Sequence, residues 1–193
     1  VLKKLDAHIK ILPLLDYNYK LHSIINRDNL PSLTEKSVYS RARSPVRISF
    51  GGGGSDITNF FSKGKGAVIN STISLFSHAT LRKRNDSKIL INSLDLNKKY
   101  EAKNLNQFLL KKSNYGIIHS VLKTINPEYG FELFLYSDYP MNSGLGGSAV
   151  VTASILGCFN QFRQDKWNHY ELSELAFQAE RLYLGVSGGW QDQ

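Results

Sequence analysis

The stretch Pro140-Met-Asn-Ser-Gly-Leu-Gly-Gly-Ser-Ala149 constrains this chain more than any other. It follows an alternating apolar run, Phe131 to Ser137, that reads as a strand. It precedes Val150 to Phe162, apolar on most sides, which reads as a buried helix. Strand, glycine-rich loop and helix start, in that order, can build a cradle for anionic phosphate. Glycines let the backbone come close to a ligand. Free N–H groups and the positive end of the helix dipole then face the negative charge. The loop lacks the Lys-[Ser/Thr] ending of a P-loop, and its spacing is not the dinucleotide fingerprint. A tight strand-to-helix turn capped by Ser148 is the other reading of the loop alone.

With 193 residues and 41% hydrophobic content, the chain can build one domain around a real core, or one domain and a tail. The single cysteine, Cys158, excludes an intrachain disulfide, and no Cys/His cluster suggests zinc. A reduced, cytoplasmic setting follows as the default. No apolar run reaches the roughly 18 residues that span a bilayer, and Val-Leu-Lys-Lys is not a signal peptide, so no membrane partner is expected. The net charge of +8 suits nucleic acid, acidic membrane or phosphorylated small molecules. Basic residues are scattered, and aromatics do not interleave with them, so phosphometabolites rank above nucleic acid. The densest cluster, Arg82-Lys83-Arg84, reads as a solvated strand end, with recognition of a substrate phosphate as the alternative.

Residues 1–40 look different from the rest. Ile9 to Asp16 and Leu21 to Asp28 read as a hairpin across a Tyr17–Lys20 turn. With Arg27-Asp28-Asn29-Leu30 it loosely resembles the closing part of a CBS motif; an ordinary hairpin is the plainer reading. Leu30 to Ser40 reads as a linker. From about Arg41 a new unit begins, in which Val46, Ile48 and Phe50 point one way and Arg47 and Ser49 the other. Strands follow within Gly66–Arg84 and at Lys88–Leu94. A helical pattern covers Asn106–Asn126, with Ser113 to Gly116 as a candidate break, and helices follow at Ser148–Arg163 and His169–Leu184. Early strands followed by helices argue an α+β fold rather than regular βαβ repeats.

Two other stretches carry chemistry. On helix 169–184 the apolar stripe is Leu172, Leu175, Ala176, Ala179, Leu182 and Tyr183, and the polar face is Glu171, Glu174, Gln178 and Arg181. Glu180 falls off the solvated side, where a carboxylate needs a partner: a Mg²⁺ ion or a neighbouring Arg or Lys. Glycines at 185, 188 and 189 then bend the chain, so that Asp192 is presented by an irregular segment, to accept a hydroxyl proton or simply to sit in a turn. Arg47 ends a strand before Gly51–Gly54, and its planar charged fork suits phosphate oxygens. Asp56 follows, as a holder of sugar hydroxyls, a cap for Ile57–Phe61, or both.

Taken together, residues 43–193 resemble the GHMP kinases. Pro140, Ser143, Gly144, Leu145, Gly146, Gly147, Ser148 and Ala149 are similar to the family's phosphate motif, Pro-x3-Gly-Leu-Gly-Ser-Ser-Ala. Ser148 and Glu180 stand where the family holds Mg²⁺, and Asp192, in Gly-x-Gln-Asp-Gln, resembles its catalytic aspartate. Arg47 and Asp56 match its N-terminal arginine and sugar-binding aspartate. Arg47–Asp56 and Gly189–Gln193 look closest to the heptose branch, with fucokinases as near relatives.

The resemblance implies a two-layer α+β domain with a left-handed βαβ crossover. It implies ATP and Mg²⁺ as cofactors, and phosphorylation of the anomeric hydroxyl of a heptose 7-phosphate or related sugar. Catalysis falls to Asp192 and Arg47, metal binding to Ser148 and Glu180, and substrate contact to Asp56, Gly53, Gly54 and Gly189. The partners are ATP and a sugar or sugar phosphate, and a homodimer is allowed for. Two departures stand out. Gly147 replaces the first serine of the motif, and the family's C-terminal domain lies beyond Gln193, so residues 1–193 alone are expected to be inactive. The alternatives are a non-catalytic ligand-binding relative, or another sugar kinase of the family such as a fucokinase or galactokinase.

Overall fold

The structure, a computed structural model, describes residues 11–26, 38–110 and 116–193. Its two compact units are residues 1–36 and 37–193. In the first, β1 (Ile11–Leu15) and β2 (Leu21–Asn26) pair as an antiparallel hairpin. Asp16 shapes the turn: its Oδ1 accepts from the amides of Asn18 (2.8 Å) and Lys20 (2.9 Å). The CBS-like Arg27–Leu30 lies outside the described residues.

The larger unit is a five-stranded mixed sheet with its helices packed together. Its strands are β3 (Tyr39–Gly51), β4 (Ile69–Lys83), β5 (Ile89–Ser93), β6 (Lys98–Ala102) and β7 (Phe131–Ser137). Their order is β3-β4-β7-β5-β6. Neighbours are antiparallel except β5 and β7, whose parallel pairing demands a crossover. That crossover runs through β6, α2 (Leu105–Leu110) and α3 (Gly116–Ile125). The α+β architecture expected from the order of elements is therefore present. Strand β6 was not anticipated: Lys98-Lys-Tyr-Glu-Ala carries charge on an edge, where a strand can face water. The linker expected up to Ser40 ends earlier, because Tyr39 and Ser40 already pair with Arg82 and Leu81.

One face of the sheet is apolar. Ala79, Leu81, Ile89, Ile91, Phe131, Leu133 and Leu135 are all buried, each at alternate positions of its strand. Against this face packs α4 (Gly147–Asn160), which contacts β3, β4, α3 and α5 (His169–Gln178). It is buried on nearly every side: Val150, Ile155, Leu156, Cys158 and Phe159 are at most 5% exposed. This explains its lack of a polar stripe. Gly157 lets α4 approach β3, since a Cβ there would lie 3.1 Å from that of Ala42.

Two expectations need correction. Pro45 faces Phe76 but Arg47 faces Thr72, so the register slips between them. The stripe Val46, Ile48, Phe50 is broken: Val46 is fully buried, while Ile48 and Phe50 are 39% and 70% exposed. The second concerns the last helix. The α-helix stops at Gln178, and Ala179–Leu184 continue as a π-helical turn closed by Gly185 at φ 72°. The wider turn changes the angular placement, which leaves Leu182 72% exposed and tucks Glu180 inside at 3%.

Candidate active site

The register slip puts Arg47 on the glycine loop. Its backbone N–H donates to Leu145 O (3.3 Å), and Nη1 donates to Gly144 O (2.9 Å). The other guanidinium nitrogen, Nη2, pairs with Asp192 Oδ1. The loop itself needs left-handed backbone at Asn142, Gly144 and Gly146 (φ 60°, 73° and 76°). Asp192 lies against Gly146, where a Cβ would stand 3.0 Å from its carboxyl carbon.

Helix α4 begins without a side-chain cap: Gly146 is its N-cap, and Ser148 is already inside the first turn. The capping alternative for Ser148 is therefore set aside. The first intrahelical bond runs from Val150 N to Gly146 O (3.2 Å), so the amides just ahead of it lack intrahelical acceptors. Ser148 Oγ donates instead to Glu180 Oε1, and Gln193 Nε2 donates to Glu180 Oε2. Arg181 Nη1 stands 3.6 Å from the same carboxylate. Burial pushes the Glu180 pKa up, against the pull of the Ser148 hydroxyl and the Arg181 charge.

Asp56 does not cap the short helix α1 (Thr58–Phe61), whose N-cap is Ile57. Its Oδ1 accepts from Gly54 N and its Oδ2 from Gln191 N, both at 2.9 Å. Partial burial raises its pKa, but these amide bonds outweigh that and hold the carboxyl below its ordinary value. Gly189 makes the approach possible, because a Cβ there would stand 1.9 Å from Asp56 Oδ2. Arg181 braces the same segment, donating to Val186 O (3.2 Å) and Gly189 O (2.7 Å). The Trp190 ring stacks on Phe177 at 3.6 Å.

A cleft of about 410 Å³ opens beside the loop, lined by Ser143, Gly144, Gly146, Gly147 and Ser148 at one part of its wall. Tyr139, Ile117 and Leu135 line it further on. A second hollow, about 400 Å³, is walled by Asp56, Phe61, Val68 and Trp190. Pro140, Leu145 and Ala149 do not line the cleft: Leu145 packs with Val46, Tyr139 and Val150, and Ala149 is buried. Nor does Arg82-Lys83-Arg84 face either hollow. Arg84 pairs with Asp86 (2.6 Å) and Glu132, and Arg82 with Glu132 (3.4 Å).

The expected residues thus come together in three groups: Arg47 with Asp192 and Gly146, Ser148 with Glu180, and Asp56 with Gly54 and Gly189. Gln191 and Gln193, which flank Asp192 in the quoted motif, and Arg181 and Tyr139 join them without having been assigned a role there. Tyr139 lies two residues beyond the end of β7, in the link that leads to the loop.

Residues 112–193 match the GHMP kinases N terminal domain family. The D-glycero-alpha-D-manno-heptose 7-phosphate kinase of Campylobacter jejuni is 38% identical over 160 residues, 79% of this chain and 46% of that protein. This chain carries a GHMP kinase N-terminal domain. The crystal structure of a D-glycero-D-manno-heptose 1-phosphate kinase from Bacteriodes thetaiotaomicron superposes with a TM-score of 0.72 at 32% identity, covering 79% of this chain and 51% of that one. A galactokinase of Clostridium beijerinckii is 25% identical over 179 residues, 86% of this chain and 43% of that protein. The chain spans about half the length of such relatives or less. Among its described residues no helix is long and apolar enough to cross a membrane, and no group of three His, Cys, Asp or Glu gathers as a metal site.

Proposed function

We infer that the protein is an ATP-dependent sugar kinase that phosphorylates the anomeric hydroxyl of a heptose 7-phosphate or a related sugar. The observation that carries this reading is the Arg47–Asp192 ion pair on the lip of the glycine loop. An acid and a cation that far apart in sequence are brought together against the loop, which supports a role for both beside a bound phosphoryl group. The heptose acceptor is favoured because the relatives named above include kinases of heptose phosphates.

Phosphoryl transfer relies on positioning and charge neutralisation more than on covalent chemistry. Asp192 accepts the proton of the sugar hydroxyl as that oxygen bonds to the terminal phosphorus, while the bond from this phosphorus to the β,γ-bridging oxygen breaks and ADP leaves with its electron pair. Arg47 serves twice: it orients the carboxylate and offsets negative charge on the phosphoryl oxygens. The loop amides and the start of α4 hold the nucleotide phosphates. Asp56, fixed by Gly54 and Gln191, keeps lone pairs free for sugar hydroxyls, and the bare backbones of Gly53, Gly54 and Gly189 leave the sugar room. The Ser148 hydroxyl and the Glu180 carboxylate put hard oxygens side by side, and burial costs that carboxylate more than the Arg181 charge 3.6 Å away offsets, which fits a further cation such as Mg²⁺. Ser148 and Glu180 would hold such an ion, which would supply charge neutralisation to the phosphates of bound ATP.

The test is turnover of a heptose 7-phosphate with Mg²⁺·ATP by the full-length protein and its Asp192→Asn variant. The variant is expected to lose about 10²–10⁴-fold in kcat. Unchanged turnover would remove Asp192 from the chemistry. Tight binding of sugar and nucleotide with no turnover in the wild type would favour a regulatory ligand-binding role.

A further inference from the structure

The cleft beside the glycine loop has one charged side chain among the described residues that line it: Asp95. It sits in the Leu94–Asn97 turn between β5 and β6. Its placement is built rather than incidental. Oδ1 accepts from Ser137 N and Oδ2 from Ser137 Oγ, both at 2.9 Å. The turn is tied to β7 again by Leu94 N to Leu135 O (3.0 Å). So the carboxylate is held at the ends of two parallel strands while its remaining lone pairs stay open.

We propose that Asp95 reads the nucleoside end of the bound triphosphate by accepting a hydrogen bond from the exocyclic amine of adenine. The proposal rests on the nucleotide-site reading above. Charge sets the orientation: a fixed carboxylate repels phosphates, so the phosphates lie at Gly144–Ser148 and the base lies toward Asp95. The walls supplied by Ile117, Ile118, Leu135, Met141 and Val151 suit a flat ring. An ionised carboxylate only accepts hydrogen bonds. It therefore rewards a base that turns an N–H toward it and penalises one that presents a carbonyl.

The experiment is titration of the protein, by calorimetry, with Mg²⁺ complexes of ATP, purine riboside triphosphate (which lacks the amine) and inosine triphosphate. The wild type is expected to bind ATP about tenfold more tightly than purine riboside triphosphate, the effect of one hydrogen bond to a charged group. Asp95→Ala is expected to weaken ATP by a similar factor and leave the amine-free analogue nearly unchanged. Because Asp95 also ties down the turn, Asp95→Asn is the companion variant: it keeps one acceptor, gains a donor, and is expected to shift preference toward inosine triphosphate. Equal wild-type affinity for ATP and purine riboside triphosphate overturns the proposal while leaving the nucleotide site standing. So does an equal loss for both in Asp95→Ala. If the wild type binds none of the three, the site reading falls and this inference with it.

Discussion

Arg47 and Asp192 form an ion pair in which the arginine also grips the Gly144 carbonyl, so the cation, the carboxylate and the loop are one mechanical unit. Their side chains are 17% and 29% exposed, far enough inside for the geometry to be kept. Arg47→Lys keeps the charge and loses the fork that spans both partners. It is expected to lower kcat about 10³-fold, at the low end of what an arginine on a transferring phosphoryl supplies. The KM for ATP should change far less. Steady-state kinetics on the full-length protein decide it, and a lysine variant with wild-type kcat would reduce Arg47 to a structural role.

Gly147 stands where the phosphate motif that this loop resembles has a serine, and its neighbour gives a physical reason for the glycine. A Cβ at 147 would lie 2.8 Å from the Tyr139 ring, whose hydroxyl donates to Gly147 O (3.3 Å). The ring occupies the space a serine would need. Gly147→Ser is therefore expected to destabilise the domain by about 1–3 kcal/mol through overpacking. Adding Tyr139→Leu should recover part of that, a coupling of about 1 kcal/mol or more between touching residues. Urea unfolding of the two single variants and the double variant measures the coupling. Strict additivity would show that the tyrosine does not hold the position against a side chain.

Much of this arrangement can be read along the chain, and the limits have identifiable causes. The glycine loop, the strand before it and the helix after it are local, and each residue there has a conformational reason to be what it is. The pairing of Arg47 with Asp192 is not local, and neither periodicity nor spacing contains it; the family resemblance pointed to both residues, but their contact depends on a register slip opposite Thr72. The π-helical turn is hidden for a similar reason. Residues 179–184 have good helical composition, and only tertiary packing selects the wider turn that buries Glu180. Asp95 and Ser137 look like ordinary turn and strand-end residues until the parallel pairing of β5 with β7 brings them together.

Glu180 and Asp56 bend the pH dependence of stability in opposite senses. The folded pKa of Glu180 is raised by burial. Its contribution is fully present below the ordinary glutamate value, about pH 4, and is lost as pH rises through the folded pKa. The folded pKa of Asp56 is lowered, so its contribution is present above the ordinary aspartate value and is lost as pH falls through the folded one. Glu180→Gln removes the buried charge while keeping an acceptor for Ser148. Relative to wild type it is expected to gain stability at pH 7.5 compared with pH 4.5, and to lose the Mg²⁺ dependence of ATP binding. Thermal melts at the two pH values, with and without Mg²⁺, test both halves. An unchanged difference between the melts would show that the carboxylate is not strained by its burial.

Cys158 offers a probe of the core. Burial pushes its thiol pKa up to about 11, and it sits on α4 with Ser40 Oγ donating to its own carbonyl (2.9 Å). Little thiolate exists at pH 8, and access is closed. Labelling by a disulfide-exchange reagent is expected to be slow in the native domain and complete in denaturant. Rapid labelling under native conditions would mean that α4 leaves the sheet.

Trp190 is the support on which the Asp192 segment rests. One face of its ring lies on Phe177, 6° from parallel, and Arg181 lies over Phe177 while holding Gly189 O. The two residues after Trp190 are Gln191, which ties to Asp56, and Asp192. A shift of the ring therefore moves Asp192 and the amide that holds Asp56 together. Trp190→Ala is expected to cost about 1 kcal/mol from the lost stacking, beyond the burial it gives up. It should also lower kcat about 10²-fold, the penalty of misplacing a reacting group by an ångström or so. Trp190→Phe keeps a stacked ring and should retain most of the activity. The fluorescence of Trp190, isolated in a Trp167→Phe background, reports the packing directly. Full activity in Trp190→Ala would mean that Asp192 is positioned by Arg47 alone, with the stack serving only to close the second hollow.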